Sequence, residues 1–258
     1  MILNASTHGG DKPPLIILHG LFGSARNWQG IARRLSTDYT VHALDLRNHG
    51  GSPHADAMTY ELMAADVLEF MNQANIEKTV LLGHSMGGKV AMELALSSPN
   101  KISRLIVVDI APVEYQHNFD DVLVGLYHIP LDQVNSRKNA DEYLAQKISS
   151  LSLRQFLLQN LATNSEGGYQ WKVNLASIEQ NMLEIMGFPL QQKAREFTAP
   201  SLFINGGKST YLTSRHQPLV NKLFLNGIFS TIAGAGHWPH IEAPQSFMDV
   251  LSNFLEQT

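Results

Sequence analysis

Cysteine is absent from all 258 residues. That removes disulfide scaffolds, Cys-ligated zinc, iron–sulfur clusters and a thiol nucleophile from consideration. Charge is also scarce: Asp, Glu, Lys and Arg make up 16% of the chain and leave a net charge of −4. So mild an acidity gives no electrostatic reason to expect nucleic acid or an anionic membrane surface as a partner. No window approaches the ~20 apolar residues needed to span a bilayer. The opening residues carry neither a basic stretch nor an apolar core of signal-peptide length. The expectation is a cytoplasmic protein, a monomer or small homo-oligomer, with no internal repeat and no low-complexity segment.

What remains is material for a core. Hydrophobic residues make up 44% of the chain, and this length suits one large domain or one domain with an insertion. Short apolar runs recur at Leu15–Leu18, Val41–Leu44, Thr79–Leu82, Leu105–Val108, Ser201–Ile204 and Ile228–Ile232. Continuous Ile, Val and Leu over such lengths fit strands buried on both faces of a parallel sheet. Helix-period stretches alternate with them. Tyr60–Asn72 is expected to pack along Leu62, Ala65, Leu68 and Phe70/Met71, and Lys89–Leu96 follows the third run directly. Strands alternating with helices predict an α/β fold built on a mostly parallel central sheet.

The alternation stops between Pro112 and Pro200. Asp120–Tyr127, Ala140–Ile148, Leu153–Thr163 and Ile178–Met186 read as helices, with turns at Glu166–Tyr169 and Gly187–Pro189 and no clear strand. The expected organisation is a core of residues 1–112 and 196–258 carrying a helical cap of residues 113–195.

The chemistry is signalled after the third run. Gly83-His84-Ser85-Met86-Gly87-Gly88 is a G-x-S-x-G sequence with a strand before it and a helix after it. Such a turn forces the serine into a strained conformation that lifts its hydroxyl clear of the sheet. The glycines leave room where a Cβ would collide with the next strand or helix. The following helix N-terminus favours a developing anion. The plain alternative is a Gly-rich connection, or a phosphate cradle.

A serine hydroxyl needs a base to become a nucleophile. Of eleven histidines, His237 stands out in the loop Ala233–Pro239, just after the last apolar run. Ligand sites in α/β sheets lie at the carboxyl ends of strands, so this loop shares an edge with Ser85. His84 lies in the elbow itself but points elsewhere, and His8, His54, His117, His128 and His216 are expected at the surface. His237 and His240 could form an H-x-x-H metal clip, but no third ligand accompanies them.

The acid is less obvious. After Ser201–Ile204, where this arrangement usually supplies an aspartate, the sequence reads Asn205-Gly206-Gly207-Lys208-Ser209-Thr210-Tyr211. The preceding run ends instead in Asp109-Ile110-Ala111-Pro112. An aspartate directly behind an apolar strand is costly without a partner, so Asp109 is the candidate; Asp45 and Asp132 are its alternatives. After the first run comes His19-Gly20-Leu21-Phe22-Gly23-Ser24. A backbone N–H from this loop, at Leu21 or else Phe22, is needed opposite that of Met86 to hold an oxyanion. His19 reads as a structural tie within that loop.

Together, His19–Ser24, Asp45–Ser52, Gly83–Gly88, Asp109–Pro112 and Gly234–His237 resemble the α/β-hydrolase superfamily over the whole chain. The segments HGLFGS, DLRNHG, GHSMGGK and DIAPV are similar to those of YbfF-type esterases, whose triad acid follows the strand after the nucleophile's. The resemblance implies an α/β-hydrolase fold with its cap inserted after the sixth strand. It also implies hydrolysis of carboxylic esters, and of acyl thioesters, through an acyl-enzyme without metal or other cofactor. In it, Arg47 and His49 organise a loop rather than perform chemistry.

Other readings stay open: carbon–carbon bond hydrolysis by the same three residues, perhydrolysis as a side activity, or a binding protein on a hydrolase frame. Phe22 and Trp238 are the best-placed substrate contacts. Leu123, Leu126, Phe156, Leu157, Leu161, Met182 and Met186 are candidates to line an acyl pocket, although helices use the same spacing simply to pack.

Overall fold

A computed structural model describes residues 1–116, 119–189 and 196–256. Seven strands form one sheet: β1 (Ala5–His8), β2 (Pro14–Leu18), β3 (Thr40–Leu44), β4 (Thr79–His84), β5 (Ile102–Val108), β8 (Ser201–Gly206) and β9 (Gly227–Ile232). Their order is β1-β3-β2-β4-β5-β8-β9, all parallel except the antiparallel edge strand β1. All six apolar runs are strands. Their residues alternate between two cores: Ile16, Leu18, Leu81 and Val107 face one side, while Leu15, Ile17, Val80, Leu82 and Ile106 face the other. Burial on both faces is why the sequence shows runs rather than alternation.

Helices α1 (Gln29–Leu35) and α11 (Pro244–Leu255) cover one face, where Ile31, Leu35, Phe247 and Leu251 join the strand residues. Helices α2 (Tyr60–Gln73), α3 (Met86–Ser97) and α9 (Gln217–Leu223) contribute to the core on the other face. The face predicted for α2 holds only in part: Met71 is buried and Leu68 and Phe70 pack against the core, but Leu62 and Ala65 point to solvent while Tyr60, Met63, Ala64 and Val67 are buried. The helix carries more than one apolar stripe, and packing against α3 selects between them.

Between β5 and β8 the chain forms α4 (Asp120–Tyr127), α5 (Arg137–Ala145), α6 (Leu151–Leu157), α7 (Leu175–Gln180) and α8 (Met182–Met186). This stretch is not wholly helical. Strands β6 (Leu161–Thr163) and β7 (Tyr169–Trp171) pair as an antiparallel hairpin. Asn164 makes its turn, its side-chain oxygen accepting from the N–H groups of Glu166 and Gly168. The residues expected to extend a helix to Thr163 therefore turn back on themselves.

Five sheet strands precede the insertion rather than the expected six, the first of them being Ala5–His8. The short α10 (Pro239–Glu242) completes the elements beyond β9. No helix among the described residues is long and apolar enough to cross a membrane.

Candidate active site

Parallel strands bring three loops to one edge of the sheet. β4 leads into Ser85, β5 into Asp109, and β9 into the loop bearing His237. Ser85 adopts φ 52° and ψ −120°, a left-handed region that costs an ordinary residue of order 1–3 kcal/mol. Its N–H donates to Val108 O at 3.0 Å, tying the turn to the neighbouring strand. The turn needs Gly83: a Cβ there would lie 2.1 Å from Gly87 O.

His237 Nε2 lies 3.0 Å from Ser85 Oγ, and its Nδ1 lies 2.7 Å from Asp109 Oδ2. A carboxylate oxygen can only accept, so Nδ1 carries the proton and Nε2 accepts from the serine hydroxyl. Asp109 is fully buried and also adopts a positive φ of 52°. Its Oδ1 accepts from Gly206 N at 3.1 Å, and its Oδ2 accepts from Ser209 Oγ at 2.5 Å. The position where a carboxylate was missing after β8 thus holds a hydroxyl that donates to the carboxylate on β5. The alternatives are engaged elsewhere. Asp45 accepts from the N–H groups of Ala25 and Gly51, and Asp132 is exposed.

The loop after β2 faces Ser85 closely: a Cβ on Gly20 would lie 3.2 Å from Ser85 Cβ. Phe22 N is not available to an oxyanion, because it donates to His49 Nε2 at 3.2 Å. Leu21, the other candidate in that loop, lines the space at Ser85 together with Met86, whose N–H opens α3. Helix geometry leaves such an N–H without an intrahelical acceptor. His19 ties the same loop to the DLRNHG segment, its Nε2 accepting from Leu46 N at 3.0 Å. Burial lowers the His19 imidazole, and burial together with the neighbouring His19 lowers His49 to about 3. Both therefore stay neutral acceptors. Arg47 pairs with Asp66 at 2.7 Å and donates to Ala57 O, away from Ser85.

Several partners of the base had no signal in the sequence. Tyr211 stacks on the His237 ring at 4.1 Å. Glu242 accepts from the N–H groups of Gly236 and Trp238, fastening the loop from below. His84 donates to His237 O at 2.8 Å. His240 stacks on Trp28 at 4.1 Å. Among the described residues no group of three His, Cys, Asp or Glu could hold a metal ion. His54 and His128 are exposed and His8 is half-buried, but His216 is buried, its Nδ1 accepting from Thr213 N at the start of α9. His117 lies outside the described residues.

Two spaces meet at Ser85. The larger, about 170 Å³, is lined by Phe22, Trp28, Val122, Phe156, His237 and Trp238 among others. The smaller, about 20 Å³, is lined by Met86 and Lys89 among others. Phe22 and Trp238 both line the larger space. Of the seven candidate lining residues between β5 and β8, Phe156 and Met186 reach these spaces. Leu123, Leu126, Leu157, Leu161 and Met182 are instead buried in the core on the α2, α3 and α9 side of the sheet. Inward-facing residues of short helices are needed to hold those helices together, and few are left over for a pocket.

This fold and edge arrangement define an α/β hydrolase, and a family model described as the alpha/beta hydrolase fold matches residues 13–244. The chain belongs to that family. It is 41% identical over 252 residues to the sn-1-specific diacylglycerol lipase ABHD11 of Xenopus laevis, covering 95% of this chain and 80% of that one. It is 31% identical to the esterase YbfF of Escherichia coli, covering 95% and 94%. Among solved structures, a marine microorganism esterase superposes with a TM-score of 0.95 at 39% identity, covering 98% of this chain and 99% of that one. The protein is a hydrolase of the esterase and lipase kind.

Proposed function

We propose that the protein hydrolyses carboxylic esters through an acyl-enzyme on Ser85. His237 acts as general base and acid, and Asp109 orients the imidazole. The observation that carries this reading is the unbroken hydrogen-bond chain from Ser85 Oγ through His237 to Asp109 Oδ2, at 3.0 and 2.7 Å, starting from a serine held at positive φ. Diacylglycerol lipase and esterase, the names carried by the relatives, share one bond type, the carboxylic ester. That is the class assigned here.

In the first half-reaction Ser85 Oγ bonds to the carbonyl carbon while its proton passes to His237 Nε2. The Leu21 and Met86 N–H groups hold the oxyanion; a single such donor is typically worth ~3–4 kcal/mol. Collapse breaks the carbon–oxygen bond, and His237 returns the proton to the departing alcohol. Water then attacks the acylated serine, giving its proton to His237, and the acid leaves as Ser85 is restored. Each proton moved is carried by Ser85, His237 or water. Phe22 and Trp238 would contact the bound ester, and residues 113–195 would serve as the cap over it.

The test is p-nitrophenyl butyrate hydrolysis by wild type and Ser85→Ala, with intact-mass detection of an acylated species on rapid quench. Turnover and a butyryl adduct in the wild type alone support the reading. Equal turnover in both proteins removes Ser85 from the mechanism.

A further inference from the structure

We infer that the two spaces divide the ester between them, the acyl chain entering the small one and the alcohol portion the large one. The substrates would then be short-chain acyl esters of bulky apolar alcohols. This assignment rests on Ser85 and His237 acting as proposed above. The imidazole that takes the serine proton must hand it to the leaving oxygen, so the leaving group has to lie beside His237. His237 and Trp238 line only the larger space, whereas Met86 lines only the smaller one, and Ser85 and Leu21 line both. With the carbonyl oxygen turned toward Leu21 and Met86, the acyl chain points away from His237 and into the smaller space.

That space is bordered by buried, hydrogen-bonded groups. Ile110, Ile185, Met186, Tyr60, Lys89 and Tyr115 are among the residues that line it. Lys89 Nζ donates to Met186 O at 2.9 Å and to Gly187 O at 2.6 Å, although the residue is 1% exposed. The same ammonium lies 4.9 Å from the Tyr115 ring centre and 5.5 Å from that of Tyr60. Tyr60 OH donates to Ile185 O at 2.5 Å, and Tyr115 OH donates to Tyr211 O at 2.5 Å while accepting from Ala111 N. Lengthening the space would break hydrogen bonds among buried groups, each costing roughly 1–3 kcal/mol when left unmade. A long acyl chain therefore has little room in the smaller space, while a large alcohol meets Val122, Phe156, Trp28 and Trp238 in the larger one.

Two substrate series separate the sides. One is p-nitrophenyl acetate, butyrate, octanoate and dodecanoate; the other is ethyl, hexyl, phenyl and 2-naphthyl acetate. The expected result is a fall in kcat/KM of tenfold or more from butyrate to octanoate, and a rise from hexyl to naphthyl acetate. Met186→Ala, with Ile185→Ala as a second variant should the first fold poorly, is expected to raise the octanoate-to-butyrate ratio at least fivefold. It should leave the naphthyl-to-hexyl ratio unchanged; Phe156→Ala should do the reverse.

A kcat/KM that climbs to dodecanoate, or a chain-length ratio that responds to Phe156→Ala and not to the Met186 or Ile185 variants, overturns the assignment. If Ser85→Ala is inactive while either result appears, only the division of the pockets is wrong. If Ser85→Ala remains active, or the wild type hydrolyses no member of either series, the proposed mechanism fails with it.

Discussion

The hydroxyl of Ser209, at the end of β8, donates to Asp109 Oδ2 on the adjacent strand end, sharing that oxygen with His237 Nδ1. The carboxylate is thus held from two sides, since Gly206 N donates to its other oxygen. The two residues are expected to differ sharply in what they do. Asp109→Asn leaves shape intact but offers the imidazole the wrong partner, so kcat should fall by about 10³- to 10⁴-fold with little change in the thermal midpoint. Ser209→Ala removes one hydrogen bond to a charged group, on the order of 1.5–3 kcal/mol, yet leaves the His237 contact in place. Its kcat should fall about tenfold or less. Comparable losses in both variants would mean that Ser209 does more than steady the carboxylate.

His49 is expected to act on turnover without touching substrate. It is fully buried, and its neutral ring accepts from Phe22 N, fixing the peptide next to Leu21. His49→Ala frees that N–H and loosens the loop. Losing one oxyanion donor outright costs about 10²- to 10³-fold in kcat, so an indirect loosening should cost on the order of 10- to 100-fold. KM should change much less than kcat. A KM effect with kcat preserved would place His49 in substrate binding instead.

Ser85 and His237 were legible because their chemistry imposes a local pattern: a glycine-flanked serine between strand and helix, and a histidine behind the last buried run. Asp109 was legible through strand order, since an aspartate closing an apolar strand has few inexpensive explanations. Tyr211, Glu242 and the Phe22–His49 bond left no such trace. Their partners are brought together by the sheet edge rather than by spacing, and each residue type is ordinary where it stands. The edge strand Ala5–His8 was missed for a related reason: with one buried neighbour and few apolar residues it never forms a run. In the segment between β5 and β8, an Asx turn at Asn164 overrode helical periodicity and made a hairpin.

Two glycines should respond oppositely to alanine. At Gly83 a methyl would lie 2.1 Å from the backbone oxygen of Gly87, inside the elbow, where nothing can move without shifting β4 or α3. Gly83→Ala is expected to give little soluble, cooperatively folding protein. Gly30, inside α1, has nothing within 4 Å of where a Cβ would stand. Gly30→Ala should stabilise by up to about 1 kcal/mol, read as a higher midpoint in chemical denaturation with activity unchanged. A destabilised Gly30→Ala would show that α1 needs the glycine for some other reason.

Acid should weaken the fold through histidines that cannot charge in place. Burial, reinforced by the neighbouring imidazoles of His19 and His237 respectively, lowers His49 and His240 to about 3. In the unfolded chain both titrate near ~6.5. Between those values the unfolded chain binds protons that the folded one does not, so stability present above pH 6.5 is lost as pH falls toward 3. From pH 7 to pH 5 each of the two should contribute a loss of about 2 kcal/mol. His240 offers a direct check. Its Nδ1 is buried with no hydrogen-bond partner among the described residues, and its ring stacks on Trp28 at 4.1 Å, so a phenyl ring can take its place. In denaturant melts at pH 7 and pH 5, His240→Phe should lose less stability on acidification than the wild type, by about 2 kcal/mol. An identical loss in both proteins would mean that His240 takes up its proton within the fold, and that its burial against Trp28 does not hold it neutral.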